Sequence, residues 1–233
     1  MIGGIFILSG AGLSAESGLR TFRAADGLWE DHRVEDVATP EAFVRDPELV
    51  QRFYNERRRQ AKEAQPNAAH KALAKLQKTH SAPVYLITQN VDDLLERGGA
   101  TQVIHMHGAV KDALCAACSH RWAAPMEMRV SDACPSCGAM KTRPDIVWFG
   151  EIPYHMDVIQ DALEASDLFV SIGTSGTVYP AAGFGQMARQ FGIRTLELNL
   201  EASNAPFDEM RQGAASDIVP TWVDEILANS PSL

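Results

Sequence analysis

Five short apolar runs bounded by turn residues punctuate the chain: Ile5 to Leu8, Val84 to Ile87, Leu168 to Ile172, Thr195 to Leu198 and Ile218 to Val219. Several are continuous instead of alternating, the pattern of strands covered on both faces. Between them the apolar spacing turns helical. Asn67 is placed to cap a helix over Ala68 to Gln77, Met156 to Ala165 carries Val158, Ile159, Ala162 and Leu163 on one face, and Val223 to Leu227 closes the chain. Strands alternating with helices predict an α/β fold with a doubly wound parallel sheet.

Two segments interrupt this rhythm. Residues 31–65 include a helix with Asp46 as its N-cap and Pro47 at its first position, followed by the charged run Glu56-Arg57-Arg58-Arg59. Residues 111–146 hold all four cysteines and little regular apolar pattern. Both read as insertions that form a smaller lobe on a main domain of residues 1–30, 66–110 and 147–233, and ligands favour the cleft between lobes.

The chain has 233 residues, 45% of them hydrophobic, with 21 basic against 30 acidic side chains and a net charge of −9. This excludes disorder and withholds the positive field that nonspecific phosphate binding requires, so a nucleic-acid scaffold is disfavoured. No stretch approaches the roughly 20 apolar residues of a membrane span. The opening Met1 to Ala15 imitates a signal peptide, but no Lys or Arg precedes its apolar run of Ile5 to Leu8, which is shorter than the ~7 to 15 residues of a real core region. The expectation is a cytoplasmic protein that opens directly on its first strand. Composition does not fix an oligomeric state.

Candidate chemistry clusters where the predicted strands end. Gly10-Ala11-Gly12-Leu13-Ser14-Ala15 follows the first strand and is expected to open a helix. It has the G-x-G-x-x-A form of a dinucleotide-binding turn, in which small residues admit a pyrophosphate to backbone N–H groups. The acidic residue expected about 20 positions later has no regular strand to end. Glu197 and Asn199, at the end of a later strand, are the substitutes, which makes the fold a nonstandard Rossmann-like variant. Thr88-Gln89-Asn90-Val91-Asp92 and Ile172-Gly173-Thr174-Ser175 place amides, hydroxyls and a carboxylate at two further strand ends, where such sheets bind ligands. Asn90 or Asp92 also suits a helix cap. In Ile104-His105-Met106-His107-Gly108, alternation puts both imidazoles on one side of an extended segment, and spacing does not choose which is a general base.

Cys115-x-x-Cys118 and Cys134-x-x-Cys137 stand fifteen residues apart. Two such knuckles close a tetrahedral thiolate cage that selects zinc. With four protein sulfurs no position is left for water, so the zinc is structural, and the small lobe is a zinc ribbon plus helices.

Taken together, residues Gly10 to Arg23, Gln89 to Asp92, His105 to Gly108, the two cysteine pairs, Val147-Trp148-Phe149-Gly150-Glu151 and Gly173 to Ser175 appear in the order seen in sirtuins. The resemblance is nearest to bacterial sirtuins of the deacetylase and desuccinylase type. It implies an NAD-dependent protein-lysine deacylase that acts on acylated lysine side chains. In such enzymes the acyl oxygen attacks the ribose carbon bearing nicotinamide, and a histidine removes a ribose hydroxyl proton. The products are free lysine, nicotinamide and O-acyl-ADP-ribose.

Carried over by motif, His107 is the base, with Asn90 and Asp92 beside it in the catalytic set. Gly10, Ala11, Gly12, Ser14, Ala15, Gly18, Thr21, Phe22, Arg23 and Trp29 wrap the phosphates and the nicotinamide ribose. Gln89, Asn90, Val91 and Asp92 orient the ribose and nicotinamide. Gly173, Thr174, Ser175, Asn199, Leu200, Glu201 and Ala215 hold the adenosine half. Val147 to Glu151 resembles the edge that pairs with a substrate peptide as an added strand. Tyr54 and Arg57, three residues apart on one helix, correspond to the tyrosine and arginine that reach a negatively charged acyl group, a fork suited to succinyl or malonyl ends. The bland alternative is a solvated basic helix face, with Arg58 and Arg59 pointing elsewhere.

The sequence departs from relatives at Leu95, where many carry histidine, at Gly98-Gly99 and at Leu19-Arg20. The last change matches the desuccinylase-like branch. Two other readings remain: ADP-ribosyl transfer from the same NAD site, and a noncatalytic module whose cysteine ribbon contacts nucleic acid. The acidic charge and the lack of interleaved basic and aromatic residues around the cysteines weigh against the second.

Overall fold

A computed structural model describes residues 3–20, 28–29 and 32–229. Strand β1 (Ile5–Ser9) is buried along its whole length. Two short 3-10 turns, Ala11–Leu13 and Ala15–Ser17, follow it. The small strands β2 (Leu28–Trp29) and β3 (His32–Arg33) pair antiparallel and lead into helices α1 (Val34–Val37), α2 (Pro40–Arg45) and α3 (Pro47–Glu63). Next come α4 (Ala68–Thr79), β4 (Val84–Thr88), α5 (Leu94–Arg97) and β5 (Val103–His105). Strands β6 (Gly108–Cys115), β7 (Arg121–Ala123) and β8 (Thr142–Ile146) form an antiparallel sheet in the order β7-β6-β8. The chain then runs through α6 (Met156–Glu164), β9 (Leu168–Ile172), α7 (Phe184–Gln190), β10 (Arg194–Asn199), β11 (Glu209–Gln212) and α8 (Ala215–Ala228).

The main sheet has six parallel strands in the order β11-β10-β9-β1-β4-β5. The continuous apolar run of β1 has a direct cause. Ile5 and Ile7 point into a core shared with α4 and α8, whereas Phe6 and Leu8 point into a second core with α6 and α7. A strand in the middle of a sandwich has no solvent face to make polar. A third cluster joins α1, α2 and α3 to Val110, Ile146 and Trp148, and so ties the helical segment to the antiparallel sheet.

The caps behave as expected. The Asp46 side chain accepts from the Leu49 N–H at 2.9 Å with Pro47 at the first helical position. Asn67 accepts from the N–H groups of Ala69 and His70, and His70 Nδ1 takes the Asn67 N–H in return.

Two expectations are corrected. Ile218 and Val219 belong to α8, not to a strand: Val219, Trp222 and Val223 recur at helical spacing and pack on α4. A two-residue apolar window cannot separate the periods; the sixth strand is instead the polar β11. The turn at residues 10–15 opens two 3-10 turns, not an α-helix. Among the described residues no helix is long and apolar enough to cross a membrane.

Candidate active site

The chain fills the sheet on one side of β1 through β4 and β5, then returns on the other through β9, β10 and β11. At such a reversal the loops leaving neighbouring strands part, and a crevice opens at the carboxyl ends. Here it is a cleft of about 780 Å³. One wall carries Gly10 to Gly12, Ser14 and Ala15 after β1, Gln89 to Asp92 after β4, His107 after β5, Gly173 to Ser175 after β9, and Asn199 to Glu201 after β10. Ala215, at the start of α8, completes it. The facing wall carries Trp29, Tyr54 and Arg57 with Val147 to Glu151.

The glycines of the first loop are required by packing. A Cβ on Gly10 would lie 2.8 Å from the Gly173 carbonyl oxygen, and one on Gly12 would lie 2.7 Å from the Gly173 Cα. Their N–H groups are spent on the carbonyls of Ile172 and Gly173. These two glycines therefore lock the loops of β1 and β9 together and keep the cleft floor free of side chains.

Ser14 is the hub of a buried polar network. Its hydroxyl donates to Asp92 Oδ2 at 3.0 Å, accepts from Asn90 Nδ2 at 3.2 Å and lies 3.4 Å from His70 Nε2. Burial raises the Asp92 carboxyl above its ordinary range, against the hydrogen bonds from Leu94 and Ser14. Burial also lowers His70 to about 4. The helix-start role is seen in Asp92, whose Oδ1 accepts from the Leu94 N–H at the start of α5, and residues 89–92 also line the cleft.

The structure separates the two histidines. Both rings face the carbonyls of residues 89 and 90, as alternation predicts. His105 Nδ1 lies 3.2 Å from the Asn90 oxygen and its Nε2 lies 2.9 Å from Glu96 Oε1. Both partners are acceptors, so satisfying both takes an imidazolium with two N–H groups. Burial opposes that charge, but the Glu96 hydrogen bond and charge outweigh it and raise His105. Glu96 is held at about 2: burial pushes it up, and the His105 hydrogen bond and charge more than offset this. His107 uses Nδ1 on the Gln89 carbonyl at 3.1 Å, lines the cleft, and is lowered by burial despite that bond. An N–H donated from Nδ1 leaves Nε2 with a lone pair, the form a base requires.

On the facing wall Tyr54 is fully buried, and its hydroxyl accepts from Trp148 Nε1 at 3.0 Å. Burial pushes its pKa up, so the phenol stays protonated and keeps a proton to donate. Arg57 lines the cleft one turn later, 9% exposed, with its guanidinium 4.6 Å over the Phe53 ring. The run 57–59 is not a solvated face. Arg58 is buried and donates to the carbonyls of Val110 and Met126 and to Asn55, while Arg59 pairs with Glu56 and Glu127.

Segment 147–151 is a turn and not an open strand edge. The N–H groups of Val147, Trp148, Phe149 and Glu151 are bonded to His107 O, Glu151 Oε2, Ala38 O and Trp148 O. Glu151 is committed to structure: Arg143 grips both its oxygens at 2.6 and 2.9 Å and stacks 3.5 Å over the Trp148 ring.

Among the described residues, Gly18 does not line the cleft; at φ 90° it closes the second 3-10 turn. Thr21, Phe22 and Arg23 lie outside the described residues. Of the two substitutes for the ribose-binding carboxylate, Asn199 lines the cleft, whereas Glu197 is buried beside it in an adjoining cavity with Oε2 accepting from the Ser203 N–H. Sequence reasoning missed His70, Arg143 and Glu16. Glu16 takes two hydrogen bonds from Ser216 across the cleft mouth, and these lower its carboxyl. Only His70 had a local signal, its place three residues after the Asn67 cap.

The four cysteine sulfurs lie within 4.8 Å of one another. Cys115 and Cys137 are 3.7 Å apart, and Cys118 and Cys134 are 3.8 Å apart. Sulfurs about 2.3 Å from a common tetrahedral centre are about 3.8 Å apart, so the donor set and its spacing fit a zinc ion closed to water.

The Sir2 family profile matches residues 10–180. A protein of Leishmania major named NAD-dependent protein deacylase is 54% identical over 235 residues, covering 97% of this chain and 96% of that one. A Vibrio cholerae protein named NAD-dependent protein deacylase is 54% identical over 229 residues, covering 96% and 93%. Among solved structures, a mutant Sir2 homologue in complex with ADP-ribose matches with a TM-score of 0.91 at 35% identity, covering 99% of this chain and 96% of that one. A cleft at the strand reversal, two locked glycine loops, a histidine presenting Nε2 and a four-sulfur cage thus coincide with whole-chain similarity, and the chain belongs to the Sir2 family.

Proposed function

We propose that this protein is an NAD-dependent protein-lysine deacylase that removes acetyl groups and, through Tyr54 and Arg57, succinyl or malonyl groups. The observation that carries the reading is His107: a half-buried imidazole on the cleft wall, biased toward its neutral form, with Nδ1 committed to Gln89 and Nε2 left to act. NAD fits the cleft on two observations. The strand-end wall offers the amides and hydroxyls of Gln89, Asn90, Thr174, Ser175 and Asn199, and the volume of about 780 Å³ suits a dinucleotide with part of a substrate. When bound, NAD supplies a ribosyl carbon whose nicotinamide leaving group is already cationic.

The protein's task is then positioning and one proton transfer. Gly10 to Ala15 line the phosphate side, and Gly173 to Ser175, Asn199 to Glu201 and Ala215 the adenosine side. Asn90 and Asp92 are fixed by Ser14 and present an amide and a carboxyl, raised by burial, to the sugar. His107 Nε2 accepts the proton of a sugar hydroxyl. Tyr54 and Arg57 receive the distal carboxylate of a dicarboxylic acyl group, and Trp148 to Glu151 seat the peptide.

In this reading residues 1–30, 66–110 and 147–233 form the NAD-binding domain, and 31–65 with 111–146 the small lobe. Zinc on Cys115, Cys118, Cys134 and Cys137 is structural. A cytoplasmic setting suits four thiols kept reduced. The test is one peptide bearing acetyl-, succinyl- or malonyl-lysine, incubated with purified protein with and without NAD. NAD-dependent free lysine and O-acyl-ADP-ribose are expected; adenylate label left on an acceptor protein would instead identify an ADP-ribosyltransferase.

A further inference from the structure

A second cavity, of about 510 Å³, lies on the α6/α7 face of the main sheet beside the cleft. Deeper on that face the strands present Phe6 and Phe169 to Phe184 of α7. One row nearer the carboxyl ends, Leu8, Ser171 and Glu197 stand side by side in register on β1, β9 and β10, and this row lines the cavity. Phe207 lines it too, stacked on Phe169 with ring centroids 6.3 Å apart. Glu197 is only 2% exposed. Its Oε2 accepts from the Ser203 N–H at 2.9 Å, and its Oε1 has no hydrogen-bond partner among the described residues. The Ser171 and Thr174 hydroxyls are paired with each other at 2.8 Å. Arg189, exposed at the solvent end, donates to the Pro206 carbonyl and makes no ion pair with Glu197. A carboxylate out of water with an open oxygen is costly until a donor meets it, and a cationic donor offsets that cost most fully.

We propose that this cavity is a second small-molecule site that takes a compact organic cation, whose charged nitrogen pairs with Glu197 while its apolar body lies against Phe169 and Phe207. The site is independent of the activity proposed for the cleft. Its volume falls within the roughly 300 to 1,000 Å³ of ligand pockets, and an aromatic wall favours a cation over a neutral group of the same shape. A neutral isostere leaves the carboxylate uncompensated, and an anion is repelled by it.

The experiment titrates benzamidine, benzamide and benzoate into the full chain by calorimetry, with NAD saturating and no acyl-peptide present, so that the cleft is filled. Wild type should bind one benzamidine per chain, benzamide at least about tenfold more weakly, as for a lost charge-assisted hydrogen bond, and no benzoate. Glu197→Gln keeps an acceptor for the Ser203 N–H and should erase the preference for benzamidine over benzamide. Ala182→Leu adds bulk to a residue that lines the cavity and should weaken both. The proposal is overturned if wild type shows no saturable benzamidine binding, if benzamide binds as tightly, or if Glu197→Gln leaves the benzamidine affinity unaltered. A benzamidine signal that NAD abolishes belongs to the cleft and overturns it as well. The wild-type series decides the matter even where a variant does not fold.

Discussion

The two walls of the cleft handle charge in opposite ways. On the strand-end wall the titratable groups around Ser14 and Gln89 are pushed toward their uncharged forms: His107 is lowered, His70 falls to about 4 and Asp92 is raised, while the charged His105–Glu96 pair sits behind them outside the cleft lining. On the facing wall charge is kept. Arg143 and Glu151 pair beneath Trp148, and Arg58, although burial lowers it to about 10, remains cationic at neutral pH among carbonyl acceptors. A wall whose groups are biased toward their neutral forms suits proton transfer, and a wall that keeps its cations suits recognition of an anion. On the proposed reading this difference separates chemistry from selectivity, so damage to each wall should read out differently.

The sharpest break of this comparison is His107→Ala. Removing the one imidazole with a lone pair in the cleft should lower deacylation of every acyl-lysine by about 10² to 10⁴-fold, the usual worth of a positioned base. NAD affinity, measured by calorimetry, should stay within a few fold. Substantial activity in the variant would move the base elsewhere.

Next in size is loss of the cysteine cage. The segment between β6 and β8 has little apolar core of its own, so metal affinity is folding free energy there. Cys134→Ser should lose about one zinc per chain by metal analysis, and the three-stranded sheet should open to proteolysis. Because Gln51 of α3 donates to the Thr142 carbonyl and Asn55 holds Met128, the wall of Tyr54 and Arg57 should loosen with it. A metal-free variant with native proteolytic resistance would contradict a structural site.

Arg57→Met addresses selectivity alone. It should reduce desuccinylation by roughly 10 to 100-fold, far more than deacetylation, since a charge-assisted fork to a carboxylate is lost and acetyl has no partner for it. Equal losses on both substrates would erase the division between the walls.

How much of this was legible in the sequence follows the range of the forces involved. The strands β1, β4, β9 and β10, the caps Asp46 and Asn67, and the cysteine spacing are local signals and stand where the chain pattern places them. The β11 strand was not legible, because an edge strand of Glu209, Met210, Arg211 and Gln212 carries no apolar run. Tyr54 and Arg57 share a helix face as their spacing implies, but that Arg58 beside them is buried depends on β6 and on residues 126–128, far along the chain. Spacing alone did not separate His105 from His107, and only the family resemblance picked His107; the Glu96 partner that sets His105 apart comes from another element.

That choice gives the smallest and most discriminating test. His105→Gln keeps a donor for the Asn90 carbonyl and removes the cation, so kcat should fall by less than about tenfold, as for a supporting hydrogen bond. The acid limb of its pH–rate profile should keep the wild-type inflection below 6.5, because His107, lowered by burial, still titrates there. Stability separates the two rings by sign. His107 and His70 are lowered, so their contribution is present above pH 6.5 and is lost as pH falls through their folded values. His105 is raised, so its contribution is present below pH 6.5 and is lost as pH rises through its folded value. Urea midpoints measured from pH 5 to 9 should therefore show an alkaline decline in wild type that His105→Gln lacks. If the variant instead abolishes the acid limb of activity and keeps the alkaline decline, the roles of the two histidines are reversed.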